Sequence, residues 1–362
     1  MKTLLLGDLC PTLVTNSIFE KGDTDALFGD TQQLFEGNDI NIVNLECALT
    51  ESDKEIKKYG PALKATKNAA KVLKNIGVNY CGISNNHFFD FGIKGALDTI
   101  EALSEQGIVC TGFGENYESS RKNLIVEKDG ETVGIIAVCE HEYSYALEDR
   151  MGCRPFDEFD TLEDIRNAKE ICDRVIVLYH GGKEHCKYPS PRLIKVCRAM
   201  ARSGADVVLC QHSHCIGCYE EYNGCHILYG QGNFHFVKFG DNYSKSWFTS
   251  LAVKYDTMTN RIEFIPLSVT GTGIEISKGE EKENIMTAFE ERNSQLKDGS
   301  WREGWKEFCE SVKHIYVAAI KNACNDDSTD EQNAVFGHYL DCEAHTDVWR
   351  ELFPTYNQTN EK

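Results

Sequence analysis

Residue types that bind metal ions follow five of six short apolar stretches in this chain. The stretches are TLLL, INIV, VNYCGI, VIVLY, DVVLC and HILYG, and each ends in polar residues. The candidate ligands are two carboxylates, one amide and three imidazoles: Asp8, Glu46, Asn86, His180, His212 and His214. A mixed set of oxygen and nitrogen ligands favours one or two divalent transition ions, Mn, Zn or Fe, over Ca²⁺ or Mg²⁺ alone. Two ions that share a carboxylate are typical of sites that hydrolyse phosphoryl groups.

The apolar stretches that carry these residues are predicted to be β-strands. Between them lie four amphipathic stretches predicted as helices: TKNAAKVLKNIG, IKGALDTIEALSEQG, TLEDIRNAKEICD and SPRLIKVCRAMARSG. Three of them close on a Gly, which is frequent at the end of a helix. Strands that alternate with helices predict a largely parallel sheet, and ligands bind such sheets beyond the carboxyl ends of the strands. We therefore expect the polar residues to meet at one edge.

Two further stretches predict antiparallel hairpins, one turning at Asp129-Gly130 and the other at TMTN, residues 257–260. These antiparallel strands predict either one mixed sheet or two sheets. After about Ser277 the chain becomes charged, Trp-bearing and helical in pattern. We predict a main domain over residues 1–275 and a helical C-terminal extension over residues 276–362. The extension would pack on the main domain and could act as a lid or as a homo-oligomer contact.

The composition disfavours several classes of partner. The chain has 57 acidic residues against 38 Lys and Arg residues and a net charge of -19, which disfavours binding to the phosphate backbone of nucleic acid. The N-terminal stretch MKTLLLGDLCPTLVTN has too few apolar residues for a signal peptide or a transmembrane segment. Sixteen cysteines without a regular framework, in a chain with no export signal, predict reduced thiols and a cytoplasmic location.

The stretch QHSHCIGCYEEYNGC combines two of the candidate histidines with three cysteines. Its C-x-x-C pair, Cys215 and Cys218, has a spacing that structural zinc sites use. Such sites combine two short ligand pairs, and here the further cysteines, Cys210 and Cys225, are single. We interpret the histidines as part of the metal site at the strand ends and the cysteines as reduced thiols in the core.

The order of the motifs resembles that of a known superfamily. A Gly-Asp, an acidic residue after the second strand, Asn-His, a lone His and then His-x-His resemble the motif series of the calcineurin-like metallophosphoesterases. GDLCPT, NLECALTE, KYGPAL, SNNHFFDFG, LYHGGKEHCKYPSP, QHSHCIGC and YGQGNFHF are similar to the CapA family of capsule biosynthesis, which is associated with poly-γ-glutamate synthesis. The resemblance implies an α/β fold: a metallophosphoesterase-like αββα sandwich of mixed sheets with a helical C-terminal appendage.

The resemblance also implies roles for individual residues. Glu46 would take the place of an Asp that bridges two metal ions. The other candidate ligands divide into one set for each ion: Asp8 and His214, and Asn86, His180 and His212. His87 would be the general acid, and Asp90 could orient it. The chain departs from the phosphoesterase pattern at two further positions, with Cys10 in place of His or Asn and Gln211 in place of Gly.

Other polar residues near the strand ends are candidates for the same site. His141, in CEHEYSYA, could act as a catalytic acid or base. Candidate substrate-binding residues lie in three loops: Lys58, Lys183, Glu184, His185, Gln231 and Asn233. The alternative for each of them is a structural role or a place in a solvated loop.

We predict a metal-dependent hydrolase of the CapA type, linked to capsule or poly-γ-glutamate metabolism. A metal-bound water would attack the substrate while His87 protonates the leaving group. The substrate would be an acidic or peptide-like polymer or a phosphoester. Two alternatives stay open: metal-assisted epimerisation at a peptide Cα, and a non-catalytic accessory role in polymer biosynthesis.

Overall fold

The structure is a computed structural model, which describes residues 1–140, 142–238 and 244–354. The strands of these residues, numbered in chain order, are β1 (Lys2–Leu9), β2 (Ile40–Leu45), β3 (Ala48–Leu49), β4 (Lys64–Ala65), β5 (Tyr80–Gly82), β6 (Val109–Thr111), β7 (Phe113–Gly114), β8 (Leu124–Lys128), β9 (Glu131–Cys139), β10 (Gly152–Cys153), β11 (Arg174–His180), β12 (Val207–Gln211), β13 (Tyr219–Tyr222), β14 (Cys225–Leu228), β15 (Asn233–His235), β16 (Thr249–Asp256), β17 (Arg261–Thr270) and β18 (Gly273–Ile276). The α-helices are α1 (Asn16–Lys21), α2 (Thr24–Phe28), α3 (Asn68–Asn75), α4 (Gly92–Glu105), α5 (Tyr117–Ser120), α6 (Asp160–Ile171), α7 (Pro191–Arg202), α8 (Gly279–Asp298), α9 (Trp301–Ala323), α10 (Asp330–Asp341) and α11 (Glu343–Leu352).

One large sheet contains the first three predicted strands. Its order is β18-β17-β16-β1-β2-β5-β6, and β15 also pairs with β1. The strands β1, β2, β5 and β6 are parallel, whereas β16 and β17 form the antiparallel hairpin predicted around residues 257–260. The carboxyl ends of β1, β2 and β5 therefore lie side by side at one edge.

The other large sheet contains the remaining predicted strands. Its order is β13-β14-β12-β11-β9-β8, and β9, β11, β12 and β14 are parallel. The second predicted hairpin joins β8 to β9. Asp129 and Gly130 at its turn have φ of 52° and 80°, as a tight two-residue hairpin turn requires. The prediction of a mixed and doubled sheet is confirmed.

The four helices predicted between the strands are α3, α4, α6 and α7. The glycines predicted to close three of them, Gly77, Gly107 and Gly204, have φ of 101°, 65° and 114°, in the left-handed region that Gly adopts without steric cost. Ser190 begins α7, because its side chain accepts a hydrogen bond from the Leu193 amide. Local sequence signals therefore placed these helices correctly.

The two sheets pack face to face, and each has helices on its outer face. Leu4 of β1 belongs to the same apolar cluster as Leu73 of α3, while the adjacent Leu5 belongs to a different cluster, with Ile176 of the other sheet. Met200 of α7 belongs to the apolar cluster on the outer face of the second sheet. Both faces of each sheet are thus buried, which explains why the central strands read as continuous apolar runs. The αββα sandwich is confirmed.

Helices α8 to α11 follow β18. Trp305 and Tyr316 of α9 and Val348 of α11 belong to the same apolar cluster as α7, so these helices extend the outer layer of the second sheet. In the part of the chain that the structure describes, no helix combines the length and the apolar character needed to cross a membrane.

Candidate metal centre

The candidate ligands meet between the two sheets, at the carboxyl ends of their strands. Each sheet supplies three of them: Asp8 in β1, Glu46 after β2 and Asn86 after β5, and His180 at the end of β11 with His212 and His214 after β12. Five of the six are buried, and Asn86 is half-buried. Neither sheet alone forms the centre, so its geometry depends on how the sheets pack.

The two carboxylates of the centre differ in their hydrogen bonds. Asp8 Oδ1 accepts a bond from Asn44 Nδ2 (2.7 Å), and Asp8 Oδ2 accepts one from the His212 amide (2.9 Å). Glu46 is completely buried, and neither of its oxygens accepts a hydrogen bond from the described residues. A buried carboxylate without such bonds is costly unless a cation binds it.

Two imidazoles, those of His180 and His214, approach these carboxylates. His180 Nε2 lies 3.5 Å from Glu46 Oε1 and 2.9 Å from Asn86 Oδ1. His214 Nδ1 lies 3.5 Å from Asp8 Oδ2. These short separations place the oxygen and nitrogen atoms around one small volume.

The potential ligand atoms form two groups that share Glu46. One group is Asp8, Glu46 and His180, and the other is Glu46, His212 and His214, with all ligand atoms of a group within 4.8 Å of one another. The resemblance instead placed Asp8 with His214 and separated it from His180. Asp8 Oδ1 lies 3.7 Å from His180 Nδ1 and Asp8 Oδ2 lies 3.5 Å from His214 Nδ1, so these distances fit both assignments. Glu46 occupies the position expected of a bridging carboxylate in either assignment.

Burial shifts the proton affinities of these groups. It raises the pKa of Asp8 to about 7 and the pKa of Glu46 well above its usual range, and the charge of Asp8 adds to the shift at Glu46. Burial also lowers the pKa of His214 to about 3. A divalent cation would favour the ionised carboxylates and the neutral imidazoles that bind metals. The residues present therefore fit Mn, Zn or Fe.

The His-x-His segment after β12 has an unusual backbone. His212 and His214 have φ of 80° and 54°, in the left-handed region that costs a residue other than Gly about 1–3 kcal/mol. The hydrogen bond from the His212 amide to Asp8 helps to hold this conformation. Strain of this kind is typical of functional sites.

His87 lies beside the centre in a group with Asp90 and Lys58. Its Nδ1 is 2.6 Å from Asp90 Oδ2, which also accepts a hydrogen bond from the Leu63 amide (2.7 Å). Burial, followed by the charge of Lys58, lowers the pKa of His87, and Asp90 partly offsets this shift. Asp90 is thus placed to orient the imidazole.

Lys58, predicted to bind substrate, lines the same cleft as His87. Its side chain is only 4% exposed and forms an ion pair with Asp90. Its Nζ also donates to the Asn86 carbonyl (3.3 Å) and lies 3.2 Å from His87 Nδ1. These contacts place Lys58 beside His87, where it holds Asp90.

The other predicted loop residues divide between the site and the scaffold. Glu184 lines the same cleft as His87, and its Oε1 lies 3.9 Å from His214 Nε2. Lys183 is half-buried in that loop, and the His185 ring centre lies 6.5 Å from that of His214. His141 lies outside the described residues.

The two polar residues before and in β15 contact different parts of the molecule. Asn233 Oδ1 lies 2.8 Å from His214 Nδ1, so it orients a candidate ligand. Gln231 Nε2 donates to the carbonyls of Leu5 (2.8 Å) and Leu251 (3.2 Å). Gln231 therefore holds β1 and β16 together rather than lining the cleft.

The cysteines near the His-x-His segment are in the core. Cys215 donates to the Cys186 carbonyl (3.3 Å), and Cys218 donates to the Lys187 carbonyl (3.8 Å). Burial raises the pKa of these two thiols to about 11 and about 12. Within the described residues, no group of three potential metal ligands includes a cysteine. Cys10 is likewise buried, and burial raises its pKa well above the usual range.

Sequence reasoning missed three residues of the site. Asn44 Nδ2 donates to Asp8 and lies 3.1 Å from His180 Nδ1, so it orients one ligand from each sheet. Its signal was a polar residue inside the apolar stretch INIVNLE. His338 and His345, from α10 and α11, line the cleft with His87. No spacing in the sequence connects them with the strand ends.

These features define a class: an α/β sandwich protein with a candidate two-ion metal centre at its strand ends. Residues 2–238 match the family model described as "Bacterial capsule synthesis protein PGA_cap". The chain therefore belongs to the PGA_cap family, which includes CapA proteins.

Similar proteins come from several bacteria. The "PGA biosynthesis protein CapA" of Bacillus subtilis is 27% identical over 273 residues, 73% of this chain and 70% of that protein. The "Probable polyglutamine synthesis accessory protein" of Mycobacterium tuberculosis is 25% identical over 253 residues, 64% of this chain and 66% of that protein. The aligned region thus spans about two thirds of these relatives. A crystal structure of a hypothetical protein from Thermus thermophilus aligns with 75% of this chain and all of its own at 14% identity, with a TM-score of 0.45.

Proposed function

We propose that this chain is a metal-dependent hydrolase that acts in capsule or polyglutamate metabolism. The observation that carries the proposal is Glu46: both of its carboxylate oxygens are buried, and neither accepts a hydrogen bond from the described residues. It belongs to both groups of potential ligands, one with His180 and the other with His212 and His214. A carboxylate in this position is suited to bridging two cations.

The residues that would hold the metal divide around Glu46. Asp8, His180 and Asn86 would hold one ion, and His212 and His214 the other. Asn44 and Asn233 would orient the ligands, because they contact Asp8 and His214. A divalent ion bound there would lower the pKa of a coordinated water toward about 7 and stabilise negative charge on the reacting group.

His87 would move the proton of the leaving group. It lines the cleft together with Asn86 and His212, next to the place where the substrate would react. Asp90 holds one ring nitrogen, and Lys58 holds Asp90. A ring fixed in this way presents its second nitrogen in a constant direction, which general acid–base catalysis requires.

The substrate class follows from the family. The PGA_cap description and the printed names of the relatives refer to capsule, PGA and polyglutamine synthesis. We therefore propose an acidic, peptide-like polymer or its fragments as substrate, with a phosphoester as the alternative. The sixteen cysteines, fourteen of them buried, agree with the proposed cytoplasmic location, where thiols stay reduced.

Metal analysis and an activity screen test this proposal. We expect purified protein to contain one or two equivalents of Mn, Zn or Fe, and His180→Ala and Asn86→Ala to lower that content. We also expect hydrolysis of γ-glutamyl peptides or phosphoesters that stops when a chelator removes the metal and returns when metal is restored.

Two outcomes would contradict the hydrolase, and a third would decide between its two substrate classes. Protein that binds no transition metal, and whose properties His212→Ala does not change, would favour a non-catalytic accessory role. Deuterium uptake at a substrate Cα from deuterated water, without cleavage, would favour epimerisation. Phosphoester turnover without peptide turnover would change the substrate class and leave the centre as proposed.

A further inference from the structure

The C-terminal helices reach the cleft that leads to the candidate metal centre. The cleft has a volume of about 240 Å³ and is lined by Asn86, His87 and His212 from the strand-end loops. His338 of α10 and His345 of α11 line it as well. We call α10 and α11 the helical wall. The wall lies beyond residues 2–238, which match the family model.

We propose that His338 and His345 form a subsite that binds an anionic oxygen group of the ligand, a carboxylate or a phosphoryl group. The subsite deepens the proposed function and rests on it, in that the same ligand would extend to the metal centre. It assigns a binding role to a part of the chain that the family model does not cover.

Aromatic contacts hold both imidazoles in place. The Tyr316 hydroxyl and His345 Nδ1 are 2.6 Å apart, and the His345 ring stacks on Tyr339 with centroids 4.3 Å apart at 18°. The His338 ring stacks on Tyr143 with centroids 5.6 Å apart at 23°. Side chains ordered before binding lose little conformational entropy when a ligand arrives.

Buried ion pairs fix the helical wall to the strand-end loops. Asp347 of α11 accepts hydrogen bonds from Arg192 Nε (3.0 Å) and the Ser190 hydroxyl (2.6 Å). Arg192 Nη2 also donates to Glu140 (2.9 Å), and Glu140 accepts a bond from the Gly182 amide (2.5 Å). Gly182 lies in the loop that begins directly after β11. The position of the wall is therefore coupled to the loop that follows a candidate ligand.

The cleft concentrates nitrogen donors in an acidic chain. The net charge of the chain is -19, yet among the described residues the side chains that line the cleft include four imidazoles and one lysine against one carboxylate, Glu184. Lys58 forms an ion pair with Asp90, and the imidazoles add further nitrogen groups to the lining. Imidazole N–H groups form short, charge-assisted hydrogen bonds with anionic oxygens. The lining therefore favours an anionic ligand group.

The size of the cleft limits what can enter it. Its volume of about 240 Å³ is below the roughly 300–1,000 Å³ of pockets that bury drug-sized ligands. A cleft of this size accommodates one small unit or an end group. We therefore expect the subsite to bind a terminal anionic group rather than an internal segment of a polymer.

A third metal site is a poorer interpretation of these histidines. Among the residues that the structure describes, neither His338 nor His345 belongs to a group of three potential ligands. His345 Nδ1 and the Tyr316 hydroxyl are within hydrogen-bond distance. Tyr143 stacks on the His338 ring and Tyr339 on the His345 ring, which suits fixed hydrogen-bonding groups.

Calorimetric titration of the full chain, as purified with its metal, tests the subsite. The probes are inorganic phosphate, the dicarboxylate glutarate and its neutral analogue glutaramide, at neutral pH. We expect at least one anion to bind and glutaramide not to bind. His338→Ala and His345→Gln should each weaken the anion by about tenfold or more, as expected for loss of a hydrogen bond to a charged group. If the affinity for glutarate falls, the ligand group is a carboxylate. If the affinity for phosphate falls, it is a phosphoryl group.

His314→Ala is the matched control, because His314 lies on α9 outside the cleft lining and its loss should leave affinity unchanged. Tyr316→Phe should weaken the same anion less than His345→Gln does, since it removes only the group that orients His345. His338 is half-buried, so His338→Ala tests the subsite even if His345→Gln fails to fold.

The subsite and the hydrolase can fail separately. Unchanged anion affinity in His338→Ala and His345→Gln overturns the subsite, as does wild-type protein that binds neither anion. Metal content serves as the second readout, and both variants should retain the wild-type amount. The wild-type protein could also bind an anion while it carries no metal and cleaves no substrate. If His338→Ala and His345→Gln then lose that binding, the result would support the subsite and reject the hydrolase.

Discussion

The metal centre and the helical wall bring imidazoles to one cleft by different structural means. In the centre, His180 and His212 lie at the ends of buried parallel strands, within the family-matched residues 2–238. In the wall, His338 and His345 lie on helices of the C-terminal region and stack on aromatic rings. Sheet hydrogen bonds position the first pair, whereas side-chain packing and one buried ion-pair network position the second.

The two regions therefore differ in whether they need a bound cation. The centre is built from groups whose burial is costly without a cation, such as Glu46. The wall is built from groups that are already satisfied by aromatic and polar neighbours, such as Tyr316 at His345. We therefore expect changes in the centre to remove metal, and changes in the wall to alter binding or stability while metal is retained.

Glu46→Gln should have the largest effect, because it removes the carboxylate shared by both ligand groups. We expect metal affinity to fall by more than about 100-fold, since changes in groups behind the ligands alone cost 10- to 100-fold. Metal bound to purified protein, measured by mass spectrometry, checks this. Glu51→Gln, at an exposed position nearby, should retain full metal. A Glu46→Gln protein that binds the wild-type amount of metal would show that the centre does not differ from the helical wall in its dependence on a cation.

Asp347→Asn should release the helical wall while the centre survives. It leaves Arg192 paired with Glu140 alone, and losing hydrogen bonds to a charged group costs about 1.5–3 kcal/mol. Urea unfolding measures the loss, and the metal content should stay at the wild-type level. The control is Asp341→Asn at the exposed end of α10. A loss of metal equal to that of Glu46→Gln would show that wall and centre are a single unit.

Lys58→Met tests whether the group behind His87 affects the reaction rather than binding. Removing the cation should release Asp90 and lower kcat about tenfold, less than the 10²–10⁴ that an acid–base residue contributes. KM and metal content should not change. Lys57→Met is the control, because the Lys57 side chain is 87% exposed. A change in KM alone would instead restore Lys58 as a substrate-binding residue.

Cys218→Ala should have the smallest effect. It removes a buried thiol that no potential metal-ligand group of the described residues includes, so we expect full metal content and a loss of about 1 kcal/mol in unfolding free energy. Metal analysis and urea unfolding check both expectations. Loss of metal in this variant would return the cysteines of QHSHCIGC to the metal site.

Much of the fold could be predicted because its signals are local. Apolar stretches, helix-closing glycines such as Gly204 and the Asp129-Gly130 turn each depend on a few neighbouring residues. The distances from Asp8 to His180 and His214 could not be predicted, since both rings are on the other sheet and these distances depend on sheet packing. The placement of Lys58 was also unpredictable, because an isolated lysine in a loop is usually solvated.

The sequence by itself determined the strands, the helices between them and the residue types that follow each strand, because periodicity and turn chemistry are properties of short segments. It also determined the family, through motifs in residues 2–238. Only the tertiary structure decided that Glu46 belongs to two groups of potential ligands and that His338 and His345 join the cleft. These contacts join residues from separate sheets and distant helices, and packing across the whole chain sets their distances.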